Sequence, residues 1–279
     1  MVRVRRGGVA LAVISLSATA TLLVQGSVAL ADPTTTTTSS TSTTTTTTTV
    51  PVTTTSTVPS TTTTTIVRKK KPPELPVFHA GPALQEGDQG SAVATLQTRL
   101  DALHYWVGNV TGYFGDSTVE AIYALQKVAN IPVDGVDGPT TQRALWRGVE
   151  PTPRPATGDL VEVNLTKDLL MIMVNGKLRT TLNTSTGGGY TYQDQGTTSV
   201  AITPTGVFHV YREVDGLVTD TLGQLWMPKY FYSGFAIHGD SFVPGTPVSH
   251  GCVRISNEAI DWIWASGQLP IGEEVWVYT

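Results

Sequence analysis

IHGDSFVPGTPVSHGCVRI, Ile237 to Ile255, contains the only cysteine of the 279-residue chain. Ser249, His250 and Gly251 lead directly into Cys252, Arg254 follows two residues later, and a second histidine, His238, stands fourteen residues upstream at the end of the apolar strand-like run Phe235–His238. One cysteine cannot form an intramolecular disulfide, which leaves a free thiol, an intermolecular link or a nucleophile. A thiol needs a base or a positive neighbour to become a thiolate near neutral pH, and an imidazole from a neighbouring segment supplies one. Gly251 lets the backbone approach a substrate closely, with the Gly251 and Cys252 amides placed to face a developing oxyanion. Three readings fit these residues. One is a Cys/His nucleophile site. Another is a metal site of His238, Asp240, His250 and Cys252, although that set lacks a usual structural-zinc spacing. The third is an inert buried cysteine, which leaves the histidines, the glycine and Arg254 unexplained.

Working outward, the surrounding pattern is that of strands. Asp159–Leu165 alternates, with Leu160, Glu162 and Asn164 opposed to Val161, Val163 and Leu165. Leu169–Val174 is a buried-type run, and Asn175-Gly176 is a hairpin turn into Lys177–Thr184. Gly206–Arg212 and Glu274–Tyr278 are further strand candidates, and one helix is expected at Glu258–Ser266, with Ile260, Ile263 and Trp264 inward and Gly267 as its stop. Gly187-Gly188-Gly189 lacks the Gly-Lys-Ser/Thr ending and the following helix of a phosphate loop, so it reads as a flexible connection. Glu213–Tyr232 holds Trp226, Tyr230, Phe231 and Tyr232 between two strand candidates. It reads either as a lid with Tyr230 as a substrate wall, or as an ordinary loop with aromatics buried beneath it. The whole is a mainly β domain of about 120 residues.

Upstream, residues 84–147 carry a weak internal repeat. Gly-x-x-Gly turns at Gly87, Gly112 and Gly135 each precede a helix-like run. Val93, Leu96, Leu100 and Leu103 share one helical face, Val119, Ile122 and Leu125 another, and Pro139 suits the first turn of a third helix. Pro151-Thr152-Pro153-Arg154-Pro155, within a 148–157 linker, is a stiff connection.

The first 77 residues are of another kind. Arg3, Arg5 and Arg6, the mostly apolar Val9–Leu23 and the small-x-small site Ala29-Leu30-Ala31 read as a signal peptide over 1–31. Residues 34–65 contain 22 threonines and cannot form a core. Residues 32–77 are therefore expected to be a disordered stalk, about 35–40 Å in mean span as a flexible coil, closed by the basic cluster Arg68–Lys71. The formal net charge of −4 hides an asymmetry. Residues 72–279 carry eleven Lys/Arg against twenty-one Asp/Glu, which excludes the basic face of a nucleic-acid binder. The expectation is an exported, extracytoplasmic protein, wall-associated or periplasmic, with no membrane span once the signal is cleaved.

Two resemblances complete the reading. GDQGSAVATLQTRL, TGYFGDSTVEAIYALQ and VDGVDGPTTQRALW, over 84–147, look like the small three-helix peptidoglycan-binding module of many wall enzymes, with Leu125-Gln126 where that family usually has Phe-Gln. Ile237–Ile255, with TPTGVF (Thr203–Phe208), STGG (Ser185–Gly188) and the opening hairpin, is similar to the L,D-transpeptidase (YkuD-type) catalytic domain over 158–279. They imply an α+β multidomain fold, a small three-helix module plus a mainly β, YkuD-like β-sandwich catalytic domain. By resemblance, Cys252 is the nucleophile and His238 the general base, His250 lines and positions the site, and the Gly251 and Cys252 amides form the oxyanion hole. Arg254 either pins the active-site loop or meets a substrate carboxylate. Gly239, Tyr230 and Ser249 are further substrate-binding candidates, Ser249 reading also as a turn residue. Asp240-Ser241 stands where many members have Thr or Ser first, which leaves the hydrogen-bond partner of His238 open. No metal or organic cofactor is implied. The implied partner is peptidoglycan, stem peptides and glycan, and the implied reaction is 3→3 cross-linking. An L,D-carboxypeptidase or endopeptidase, a wall-binding protein with an unused site, and a sortase-like thiol transferase are the alternatives.

Overall fold

The computed structural model describes residues 78–279. The expected signal peptide and stalk lie outside the described residues. Three helices come first: α1 (Ser91–Ala102), α2 (Asp116–Ala129) and α3 (Pro139–Arg147). Leu100, Ile122, Leu125 and Phe114 are fully buried in their shared core. The sequence repeat has a hydrogen-bonding basis. Gln97 Oε1 accepts the Thr111 and Gly112 amides at 3.0 and 2.9 Å, and its Nε2 donates to Thr118 at 2.9 Å. Gln126 repeats the arrangement on the next loop, accepting the Asp134 and Gly135 amides at 2.9 and 3.1 Å and donating to Thr141 at 3.1 Å. Each buried amide satisfies loop N–H groups that would otherwise be stranded, and so fixes the start of the next helix.

The second part is two sheets. One has the order β3-β2-β1-β12-β6, made of Lys177–Asn183 (β3), Leu169–Val174 (β2), Leu160–Asn164 (β1), Glu274–Tyr278 (β12) and Gly206–His209 (β6). The other has the order β11-β10-β9-β7, made of Val253–Ser256 (β11), Phe235–Asp240 (β10), Gly223–Tyr232 (β9) and Arg212–Glu213 (β7), with β8 (Leu217–Asp220) also on β9. β4 (Thr191–Asp194) and β5 (Thr197–Val200) form a separate hairpin. Val161, Val163, Leu170 and Ile172 of the first sheet meet Phe231, Ile237, Val253 and Ile255 of the second, and α4 (Asn257–Ala265) closes that core with Ala259, Ile260 and Ile263.

Several expectations need correction. Glu213–Tyr232 is neither lid nor loop along its length, because its second half is β9, the strand that pairs with β7, β8 and β10. Gly206–Arg212 breaks after His209, where Val210 leaves the sheet edge and donates its amide to Glu273 O. β1 is buried on both faces: Glu162, on the face opposed to Val161 and Val163, is 0% exposed. The reason is the linker, which docks. The Arg154 amide donates to both Glu162 carboxylate oxygens at 3.0 and 3.1 Å, Tyr278 OH donates to Glu162 at 2.6 Å, and the Arg154 guanidinium sits 3.4 Å over the Tyr278 ring.

The helical part is tied to the sheets by exchanged residues. Trp106 packs into the sheet core and Leu169 into the helical core. Thr181 of β3 accepts the Trp106 amide at 2.9 Å and donates its own to His104 O at 2.7 Å. Beside this, Lys127 of α2 is buried with Asp168 in the β1–β2 turn, 3.6 Å apart, and its ammonium also donates to Asn183 Oδ1 at 2.6 Å and to Asp168 O at 2.9 Å. Burial pushes the ammonium down to about 8. Removing one partner of such a pair strands the other charge. Lys127→Met is therefore expected to cost about 3 kcal/mol in urea unfolding, with part recovered when Asp168→Asn is added.

Candidate active site

β10 and β11 run parallel, with His238 opposite Arg254 and Ile237 opposite Val253. Side chains alternate along a strand. Ile237, Val253 and Ile255 therefore enter the core, and His238, Asp240 and Arg254 take the opposite face. Cys252 sits two residues before Arg254 and shares that face. Cys252, His238, His250 and Arg254 all line one cavity of about 490 Å³. His79, His104 and His209 lie outside it.

The loop that carries Cys252 is held by the segments the sequence singled out. Ser249 donates its amide to Thr186 O at 2.9 Å and accepts the Gly188 amide at 3.0 Å through its carbonyl. Ser185 Oγ donates to Thr246 O at 2.9 Å and accepts the Val248 amide at 3.0 Å. Thr203 Oγ1 accepts the Gly187 amide at 2.9 Å and donates to Gly251 O at 2.7 Å. The STGG, TPTGVF and SHGC motifs are thus three parts of one hydrogen-bonded clasp. Gly251 is obligatory within it: φ is 142°, and a Cβ would lie 2.5 Å from the Phe235 ring and 2.9 Å from Ile202 O.

The structure redistributes some expected roles. The Gly251 amide does not face the cavity as an oxyanion donor, because Ser249 Oγ accepts it at 2.9 Å. Among the described residues the Cys252 amide has no hydrogen-bond acceptor and stays available. Ser249 is 1% exposed, and its hydroxyl also donates to Cys252 O at 2.6 Å, so it braces the turn. Gly239 has no room beside it: a Cβ would lie 2.6 Å from Asn257 Oδ1 and 2.7 Å from Ile260. Tyr230 is 4% exposed and lies behind the site, under the Arg212 guanidinium at 3.7 Å, in the small core against which Cys252 packs. The cavity wall is instead built from two hairpins. The β8–β9 turn supplies Asp220 to Leu225, the β4–β5 hairpin supplies Tyr192 and Asp194, and Thr221 Oγ1 joins them by donating to Asp194 at 2.8 Å. Tyr190 and Tyr192 bracket His250 edge-on, with ring centroids 5.6 and 4.7 Å away. Sequence reading passed over both. Their Tyr-x-Tyr spacing, which puts two rings on one strand face, was the signal.

His238 is oriented by its neighbour's backbone. Its Nδ1 lies 2.8 Å from Gly239 O, and a carbonyl only accepts, so Nδ1 carries the hydrogen and Nε2 keeps its lone pair. This answers the partner question left open by Asp240-Ser241. Asp240 instead pairs with Arg254, Oδ2 to Nε at 3.3 Å. Burial, and then the nearby Arg254 guanidinium, hold the imidazole below its usual range. Burial raises the Cys252 thiol, with Asp220 adding to the effect. The resting pair is a neutral imidazole and a protonated thiol. Among the described residues no three His, Cys, Asp or Glu side chains converge as a metal site requires, so the four-donor reading has no geometry to support it.

On a two-sheet core with a helical partner, a thiol and a free imidazole nitrogen line one cavity, the parts that thiol-based acyl transfer uses. The chain matches the L,D-transpeptidase catalytic domain (YkuD) over residues 158–277 and a peptidoglycan-binding domain over residues 89–145. It is 44% identical to an L,D-transpeptidase of known crystal structure from Xylanimonas cellulosilytica, with a TM-score of 0.68, covering 72% of this chain and 100% of that one. It is also 43% identical over 67 residues to the N-acetylmuramoyl-L-alanine amidase CwlL of Bacillus licheniformis, 23% of this chain and 19% of that protein. The match spans about a fifth of the length of that amidase and of a second Bacillus licheniformis amidase. The protein belongs to the L,D-transpeptidase family.

Ser249→Ala removes both hydrogen bonds that shape the turn. It is expected to cost about 1–3 kcal/mol in thermal unfolding and to slow acylation of Cys252, measured by intact mass.

Proposed function

We propose that this chain is an exported cysteine L,D-transpeptidase that joins peptidoglycan tetrapeptide stems by 3→3 cross-links. The observation that carries the reading is the tautomer of His238, whose free Nε2 shares a cavity with the chain's single thiol. As the Cys252 sulfur attacks the carbonyl of the third stem residue, its proton passes to His238 Nε2. The available Cys252 amide faces the oxyanion. The C–N bond to the terminal D-Ala then breaks, and the departing amine takes the proton from His238. An amine of a second stem attacks the thioester and gives its proton to His238. The C–S bond breaks, and the thiol recovers that proton. His250, held by Tyr190 and Tyr192, orients the donor, and Arg254 faces a stem carboxylate while keeping Asp240 as its partner. Family membership supports the transpeptidase class. The peptidoglycan-binding domain supports the wall polymer as partner and an extracytoplasmic setting.

Cys252→Ala is expected to abolish dimer formation from purified tetrapeptide muropeptides, with the unfolding curve preserved. Retained dimer formation overturns the reading, and trimmed monomers from the unaltered chain would instead make it a carboxypeptidase. The pH profile gives a second check. A base held below its usual 6.5 stays neutral at pH 7, so kcat/KM should decline only below pH 6.5. Arg254→Gln removes a positive charge that depresses His238, and should move that acid limb upward.

A further inference from the structure

A cavity of about 900 Å³ lies between the helical part and α4. Trp106 and Trp262 form its aromatic wall with ring centroids 6.2 Å apart, Arg179 stands 5.3 Å over Trp262, and half-exposed Tyr113 faces it from the α1–α2 loop. Aromatic faces beside planar polar groups suit the alternating apolar and hydroxyl surfaces of a sugar. This cleft shares Asp116, Ser117 and Glu258 with a second cavity of about 390 Å³, and that one shares Asp240 with the catalytic cavity. The three form a track from the helical module to Cys252.

The middle section is lined by Glu86, Asp116, Glu120, Asp240 and Glu258, with no lysine or arginine. Glu120 is only 8% exposed and forms no ion pair among the described residues. Ser256 Oγ is turned toward the Glu120 carboxyl, and Asn257 Oδ1, beside it, is buried without a hydrogen-bond partner. Burial pushes the Glu120 carboxyl up to about 8, an ionisation that an incoming cation would favour. Buried polar groups left unpaired in a folded chain point to an absent partner.

We propose that this track receives the acceptor strand of peptidoglycan, its amino-sugar chain against the two tryptophans and its amine-bearing stem along the acidic passage into the catalytic cavity. The inference rests on the transpeptidase reading and deepens it. Charge selects the acceptor over the donor. The reacting end of a donor stem is its terminal carboxylate, which Glu86, Asp116 and Glu258 repel and which Arg254 attracts. An acceptor presents an ammonium, which the passage attracts. The passage opens at Asp240, on the strand that carries His238. There the ammonium loses one proton to solvent, its nitrogen bonds to the thioester carbonyl carbon, and the amine's second proton goes to His238 as the C–S bond breaks.

The test is made on the full chain with Asp116→Lys/Glu258→Lys, both exposed positions. Acyl-enzyme formation from donor tetrapeptide is followed by intact mass, and dimer yield by chromatography at limiting acceptor. Acylation is expected to stay within about twofold while the acceptor KM rises about tenfold, as loss of two surface charge interactions predicts. Tyr113→Ala is expected to erase the preference for glycan-bearing over free-peptide acceptor. An unchanged acceptor KM in the double variant overturns the proposal, and so does slowed acylation, which would assign the track to the donor. If the unaltered chain forms no acyl-enzyme at all, the transpeptidase reading itself fails instead.

Discussion

The structure depends on the parallel pairing of β10 with β11. His238 opposite Arg254 fixes which face every neighbouring side chain takes. A one-residue slip would turn apolar residues such as Ile237, Val253 and Ile255 out of the core and the cavity-lining groups into it. The register is secured from inside, since all three apolar residues are 0% exposed, and at its end by Gly239, whose missing side chain lets α4 close over the strand. The same glycine's carbonyl sets the His238 tautomer. Packing and proton chemistry thus meet in one residue that touches no substrate.

The second dependence runs from the helical part to the nucleophile loop. Lys127 holds Asp168, Asp168 Oδ1 accepts both the amide and the hydroxyl of Thr186 at 3.0 and 2.7 Å, and Thr186 O accepts the Ser249 amide. Four residues link α2 to the turn that carries Cys252, with Asp168 Oδ1 taking the hydrogen bonds and Asp168 Oδ2 facing the Lys127 ammonium at 3.6 Å. A network of this kind is rigid when complete and costly when any member is lost. This explains why a wall-binding module and a catalytic domain pack here with exchanged core residues, where a flexible joint would have sufficed for simple tethering.

Much of the fold was legible in local pattern. β2 and β12 have the bounds read from their apolar runs, and α4 lies one residue from its expected position. What was missed depended on context. β4 and β5 are mostly polar and lack a buried face, so no alternation marks them. β9 reads as a loop because Pro228 and its aromatics obscure the period, and its pairing partners lie elsewhere in the chain. The burial of Glu162 was not legible because the linker that covers it contributes a backbone amide, which leaves no trace in side-chain pattern. In the site, the sequence drew attention to Cys252, His238 and Arg254, and the structure places all three on one cavity. Which amide remains free could not, because that turns on the direction of the Ser249 hydroxyl.

The electrostatics bear on how the proposed nucleophile rests. Burial disfavours charge on both Cys252 and His238, so a standing thiolate–imidazolium pair would have to overcome two desolvation costs at once. Keeping both groups neutral avoids that cost and leaves the thiol little reactive towards oxidants. In the proposed reaction the proton moves only when a carbonyl is in place to receive the sulfur's electrons and an amide is in place to receive the resulting oxyanion. The arrangement suits a chain with one cysteine: on the proposed reading, substrate geometry, rather than a depressed thiol pKa, decides when the sulfur reacts.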